Sequence, residues 1–262
     1  MMPSNPESKS AIKKAKRLEK IKESRRLNRK LKKAQAKQNK KNHQNPSDVH
    51  VSKKVAKNEA IERLKHVQSH PDEADLKVCI DLQYEALMIE KELVHLARQL
   101  SRVYGFNKRS PTPCHLTFCG LTKNSQTFKI CCDKNDGFAN YLVDIKGETV
   151  NELFEPEKIV YLTPDSDQVL EDLSKDKVYV IGGLVDDSVK KNSSLSFAKE
   201  QKIQTAKLPI EKFCDRNDDG TFKQILTINQ VFEILLSKST GISWSESFSK
   251  VLPKRIGFAP KE

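Results

Sequence analysis

From about residue 76 onward, apolar positions fall into short β-branched runs separated by longer helical repeats. "LKVCIDL" reads as a buried strand, and "EALMIEKELVHLARQLSRVYGF" follows with Leu87, Met88, Leu93, Val94, Ala97 and Leu100 at helical spacing. "CHLTFCGL", "KIVYLTP", "KVYVIGGL" and "TAKLPI" supply further strands. "DSDQVLEDL", "SSLSFAKEQ" and "INQVFEILLSKS" supply helices between or after them. Strands alternating with helices predict an α/β fold with a mostly parallel sheet covered on both faces. In such folds ligands bind outside the carboxyl ends of the strands.

The N-terminal pattern is different. "KSAIKKAKRLEKIKESRRLNRKLKKAQAKQNKKNH" contains no Gly, Pro or aromatic residue and is rich in helix formers. Its apolar residues (Ile12, Ala15, Leu18, Ile21, Leu27, Leu31, Ala34) make only a narrow, interrupted stripe, which leaves little to bury. The expected organisation is a basic arm over 1–60, helical or disordered, a connector over 61–75, a domain over 76–255 and a short tail over 256–262. Charge sharpens that division. Residues 1–60 hold 19 of the 47 Lys+Arg and five of the 35 Asp+Glu, a local excess of +14, so the remainder of a chain with net charge +12 stands at −2. An arm of this kind is either a solvated tail or import signal, or a sequence-blind phosphate binder that gains by releasing counterions. Without Trp, Phe or a strong apolar face among the lysines, a membrane surface is disfavoured.

The six cysteines, Cys79, Cys114, Cys119, Cys131, Cys132 and Cys214, form no CxxC pair and several sit in β-like runs, so buried structural thiols are expected and no metal is. No stretch resembles a signal peptide or reaches the roughly 20 apolar residues of a membrane span. The expectation is a soluble intracellular protein of nucleus, cytoplasm or both.

Three loops after strands are candidate ligand sites: "LTPDSD", "GGLVDDS" and "LPIEKF". Asp165 has helix capping as its commoner role, and Asp186 and Asp187 have helix initiation as theirs. Gly182 and Gly183 alone make no dinucleotide fingerprint, and GxxxxGK[ST] is absent. Composition and spacing end at an α/β domain with a ligand site near Gly182 and Asp186.

The ordered set "YLTPDS", "VYVIGGLVD", "TAKLPI", "ILTINQVFEIL" and "SW..SF..VLPKR", extended upstream by "CIDLQYEALMIEKEL" and "LSRVYGFNKR", resembles the tRNA (guanine-nine N1) methyltransferase family, the Trm-ten branch of the SPOUT class. The resemblance covers about residues 76–255. It implies an α/β SPOUT fold with a C-terminal trefoil knot, a rare departure from unknotted connections. S-adenosylmethionine is the implied methyl donor, lodged in the knot against Leu162, Gly182, Asp186, Asp187, Ser188, Val189, Lys190, Leu208, Gln224, Ile225 and Leu226. Asp186 is implied as the acceptor of the guanine N1 proton. An ordinary aspartate, with a pKa of about 3.9, is a weak base, so it polarises N1–H and takes the proton late. A stacked target base has to be extruded to reach the donor.

Arg102, Asn107, Lys108 and Arg109 match a family patch that faces tRNA. Lys191, Lys254 and Arg255 join it if all share a face; each of the first four is equally explained by a basic helix C-terminus. The family also implies action as a monomer, without metal. "DDSVKKNSS" departs from the family's usual Asp-Arg-Asn and resembles a metazoan B-type paralogue group. "CDRNDDGTFKQ" is longer than the usual link, and its Asn-Asp-Asp-Gly turn chemistry predicts an extended loop. Two functions stay open at this point: an active tRNA methyltransferase, or a catalytically weak tRNA-binding scaffold or chaperone.

Overall fold

The computed structural model describes residues 46–185, 198, 200–201, 203–216, 225–253 and 257–261, with the backbone alone given for 46–54 and 260. The chain divides into two compact units, 1–57 and 58–262. Of the first unit only the opening turns of helix α1, Pro46–Ser69, are described. Residues 1–45 of the expected arm, and all but Ala198 and Glu200–Gln201 of the expected helix "SSLSFAKEQ", lie outside the described residues.

The second unit is built on a parallel sheet of β1 Lys77–Asp81, β2 His115–Cys119, β3 Asp144–Ile145, β4 Ile159–Leu162, β5 Val178–Gly182 and β6 Gln204–Ala206. The strand order is β3-β2-β1-β5-β4-β6, and every neighbouring pair is parallel. Successive side chains of a strand point to opposite faces, and both faces are covered. Val78, Ile80, Leu116, Phe118, Val160, Leu162, Tyr179 and Ile181 enter one cluster, with Leu93, Leu96 and Leu100 of α2 (Glu90–Arg109) and Phe232 and Leu235 of α6 (Ile228–Ser239). Cys79, Cys119, Ile159, Tyr161, Val178 and Val180 enter the other, with Val150 of the short helix α4 (Val150–Leu153).

Further helices are α3 Gln126–Lys134, α5 Ile210–Phe213 and α7 Trp244–Val251. Their starts follow from local chemistry. Ser125 accepts the Phe128 N–H ahead of α3, and Ser243 pairs reciprocally with Glu246 ahead of α7. In "LTINQ", Gln230 reaches back to the Thr227 N–H at 3.0 Å.

One expected helix is corrected, and the connector and tail carry structure of their own. The connector at 61–75 is largely the end of α1, which buries Leu64 and Val67 against Ala74. There the Gln68 side chain bonds both the N–H and the C=O of Leu116, so one amide continues the β2 ladder where β3 has not yet begun. "DSDQVLEDL" is not a helix. Its backbone is tied instead to the exit of β6, through Lys207 N–H to Gln168 O and Leu170 N–H to Lys207 O, which leaves no i→i+4 ladder. The C-terminal tail is paired too: β8, Phe258–Pro260, runs antiparallel to β7, Cys214–Arg216.

Candidate functional site at the carboxyl ends of the strands

The exits of β4, β5 and β6 lie side by side because the strands are neighbours in the sheet. The exits of β4 and β6 are bound to each other, since Thr163 donates its N–H to Ala206 O, next to the Lys207 bonds described above. Ser166 Oγ and Thr205 Oγ1 lie 2.9 Å apart in the same seam. Asp165, a candidate helix cap, starts no helix; its own N–H is bonded by Thr163 Oγ1.

The exit of β5 is held from β1. Gly183 donates its N–H to Asp81 O at 2.7 Å, and Val185 donates its N–H to Met88 Sδ at 3.4 Å. Segment 81–88 thus supports the chain at two alternate residues just before Asp186. That segment is itself fixed by a buried polar network. The Asp81 side chain is fully buried and accepts the Tyr161 hydroxyl at 2.9 Å, Gln83 Nε2 at 2.8 Å and the Gln83 N–H at 3.3 Å. Tyr161 is joined in turn to the Tyr84 hydroxyl at 2.7 Å. Burial pushes the Asp81 carboxyl above the usual range, against the pull of those donors, and burial likewise raises Tyr161. A buried carboxylate is tolerated only when its lone pairs are engaged, and here they are.

Sequence reasoning placed Asp81 only as the end of a strand. Its signal was a carboxylate inside "VCIDL", at a position facing the sheet interior, where an unpaired acid is costly.

Of the expected donor-site residues, Leu162 is buried at the end of β4 and Gly182 is half-buried at the end of β5. Leu208 and Leu226 are partly buried and pack on the same large cluster as Leu162, Leu184 and Val185. Ile225 is 56% exposed. The structure therefore brings Leu162, Leu208 and Leu226 to one apolar body. Asp186, Asp187, Ser188, Val189, Lys190, Lys191, Gln224, Lys254 and Arg255 lie outside the described residues.

The basic patch divides. Arg102 and Arg109 are exposed on α2, Arg109 over the Phe106 ring, while half-buried Lys108 lies over the Tyr104 ring. Asn107 is fully buried, and its amide is spent on the backbone of Cys114 in both directions, at 2.9 and 2.8 Å. It clamps the turn from α2 into β2 and presents nothing to an RNA. Five of the six cysteines are buried, with Cys132 exposed. No group of His, Cys, Asp and Glu suited to a metal occurs among the described residues, and none of their helices is long and apolar enough to cross a membrane.

A parallel sheet whose adjacent strand exits are tied in pairs, β4 to β6 and β5 to β1, places the chain among α/β proteins that bind ligands at strand ends, and comparison with known proteins narrows the class. The family model for tRNA (guanine(9)-N(1))-methyltransferase TRM10/TRM10A matches residues 5–257, and the chain belongs to that family. It is 38% identical over 214 residues to zebrafish (Danio rerio) tRNA methyltransferase 10 homolog B, covering 81% of this chain and 68% of that one. The human homolog B is 41% identical over 184 residues, 70% of this chain. This chain spans 58% of the human protein's length. The solved structure of full-length spTrm10 in complex with SAH superposes with a TM-score of 0.61 at 32% identity, covering 69% of this chain and 96% of that one. A Trm10 from Thermococcus kodakaraensis shares the fold at a TM-score of 0.52 and 19% identity.

Proposed function

We propose that the protein transfers a methyl group from S-adenosylmethionine to N1 of the purine at tRNA position nine, guanine being the expected base. The observation that carries the reading is a family match running from the basic arm through the whole sheet to residue 257. The SAH in the spTrm10 complex is what remains of the donor once its methyl group has left, which makes S-adenosylmethionine the donor of choice here too.

The residues present suit such a ligand. Leu162, Leu208 and Leu226 offer apolar surface for an adenine, and the backbone at the ends of β4, β5 and β6 offers polar groups for its edge. The fold reading adds the C-terminal trefoil knot that the family resemblance implies. Bound there, the donor supplies an activated methyl group on a sulfonium, a transfer that needs no redox partner.

The rest of the chemistry falls to the chain. Asp186 is the proposed acceptor of the N1 proton as the purine nitrogen gains its methyl group. It acts while positioning and electrostatics supply most of the rate. The Asp81 carbonyl and Met88 sulfur fix the direction from which the chain reaches Asp186. Arg102, Lys108 and Arg109, with the basic arm, hold tRNA phosphates, and the protein acts as a monomer inside the cell.

The test is mass spectrometry of nucleosides from a tRNA pool incubated with the protein and S-adenosylmethionine. N1-methylguanosine above the no-enzyme control is expected. Its absence, with tRNA still bound, would leave a tRNA-binding scaffold.

A further inference from the structure

The methyltransferase reading requires a purine to leave its stack, and one feature of the fold is placed to deal with the gap. Leu87 and Ile89 are 47% and 65% exposed, although most large apolar side chains of the second unit are buried. Met88 stands between them, buried, with its sulfur on the Val185 N–H. The chain thus turns one side chain inward and its two neighbours to solvent. The two apolar side chains therefore stand exposed beside the β5 exit, anchored through Met88 to Val185, the residue before Asp186.

The surroundings indicate what they meet. Ile89 is the residue from which α2 springs, and exposed Lys91, Arg98, Arg102 and Arg109 follow on that helix. At 3.6 residues per turn these four lie within about 40° of one another around the axis and extend over roughly 27 Å. A two-residue apolar tip continuing into a row of cations fits a polyanion that has flat apolar faces. A membrane anchor would need a broad apolar face instead.

We propose that Leu87 and Ile89 form an apolar wedge that packs against the bases left unstacked when the target purine is withdrawn toward the strand exits. The cationic row of α2 holds the adjoining phosphates. Leu and Ile serve as wedges between base steps in other nucleic-acid-binding proteins, and they do so without reading sequence. The proposal rests on the methyltransferase reading for the withdrawal of a base and for which base it is.

The test compares the full chain with Leu87→Ser/Ile89→Ser and Leu87→Met/Ile89→Met. The probe is a tRNA transcript with 2-aminopurine beside nucleotide nine, whose fluorescence rises on unstacking. Without methyl donor, the wild type and the Met variant should raise the signal at saturating protein, and the Ser variant should raise it much less. With donor, the Ser variant should lose about tenfold in single-turnover rate, with its salt slope, SAH affinity and melting temperature unchanged. Equal fluorescence and rate in all three proteins would overturn the wedge. A loss shared by the Met variant, or tracked by SAH affinity or melting temperature, would overturn it in favour of a structural role. Self-association of the wild type that the Ser variant abolishes would overturn it in favour of a contact between copies. If the wild type opens the tRNA but methylates nothing, the activity reading fails, and the fluorescence comparison still decides the wedge.

Discussion

Gly183 donates its backbone N–H to the carbonyl oxygen of Asp81 at 2.7 Å, and a Cβ added at Gly183 would stand 2.5 Å from that same oxygen. It would also stand 2.6 Å from Leu82 Cδ2. The two strand exits approach so closely that only glycine fits between them. Backbone oxygen cannot swing aside, so relief has to come from moving the 182–185 segment. Gly183→Ala should therefore destabilise by about 1–3 kcal/mol in urea unfolding and weaken SAH binding in calorimetry. Wild-type values for both would mean that the approach is not tight in solution.

Tyr161→Phe tests the network beneath that contact. The substitution keeps the ring but removes the hydroxyl shared by Asp81 and Tyr84, and leaves a raised carboxyl with one donor fewer. Loss of a buried partner costs about 1–3 kcal/mol. Because the network holds segment 81–88, the variant should also lose methylation rate at saturating donor. A stability loss with full activity would restrict Asp81 and Tyr161 to packing.

Five of the six sheet strands were legible because apolar, largely β-branched runs survive as buried strands in a sheet covered on both faces; β3, only Asp144–Ile145, is too short to carry such a pattern. What escaped was set by distant partners. "DSDQVLEDL" has helix-compatible spacing, yet its backbone is claimed by Lys207, far along the chain. Gln68 looks like any polar helix residue until Leu116, paired with Val78 on one side, is seen to lack a strand on the β3 side. Asn107 sits among basic residues, although both ends of its amide are bonded to the buried backbone of Cys114. In the site, motif resemblance marked Leu162, Gly182 and Leu208, whereas Asp81 could not be paired with Tyr161 from sequence, eighty residues apart.

The arm and α1 predict two different truncations. Removing residues 1–57 takes away the whole of the local positive excess, so tRNA binding should weaken and its dependence on log salt flatten, with SAH affinity kept. Extending the deletion through Ser69 also removes Leu64, Val67 and the Gln68 clamp, and should lower the melting temperature sharply. An unchanged salt slope in the shorter deletion would make the arm a solvated tail or targeting signal.

Asp144 gives a pH signature. The hydrogen bond from His115 holds its carboxyl below the ordinary carboxylate range, despite partial burial. A depressed folded-state pKa contributes stability that is present above the unfolded value, about 3.9, and lost as pH falls through the folded value. Asp144→Asn should therefore melt below the wild type near neutral pH, and the gap should close in acid. The effect should be small, because the Asp144 side chain is 39% exposed. A gap that persists unchanged below about pH 3 would assign it to packing rather than charge.

The most direct measurement is the single-turnover rate of N1-methylguanosine formation on one tRNA at saturating enzyme and S-adenosylmethionine, for the wild type, Asp186→Asn and Asp187→Asn. Asparagine keeps the size and a hydrogen-bonding oxygen but cannot take the N1 proton. The wild type should methylate, Asp186→Asn should fall by about 10²-fold with tRNA and SAH affinity kept, and Asp187→Asn should fall far less. A wild type that forms no N1-methylguanosine, or two variants that lose rate equally, would contradict the account.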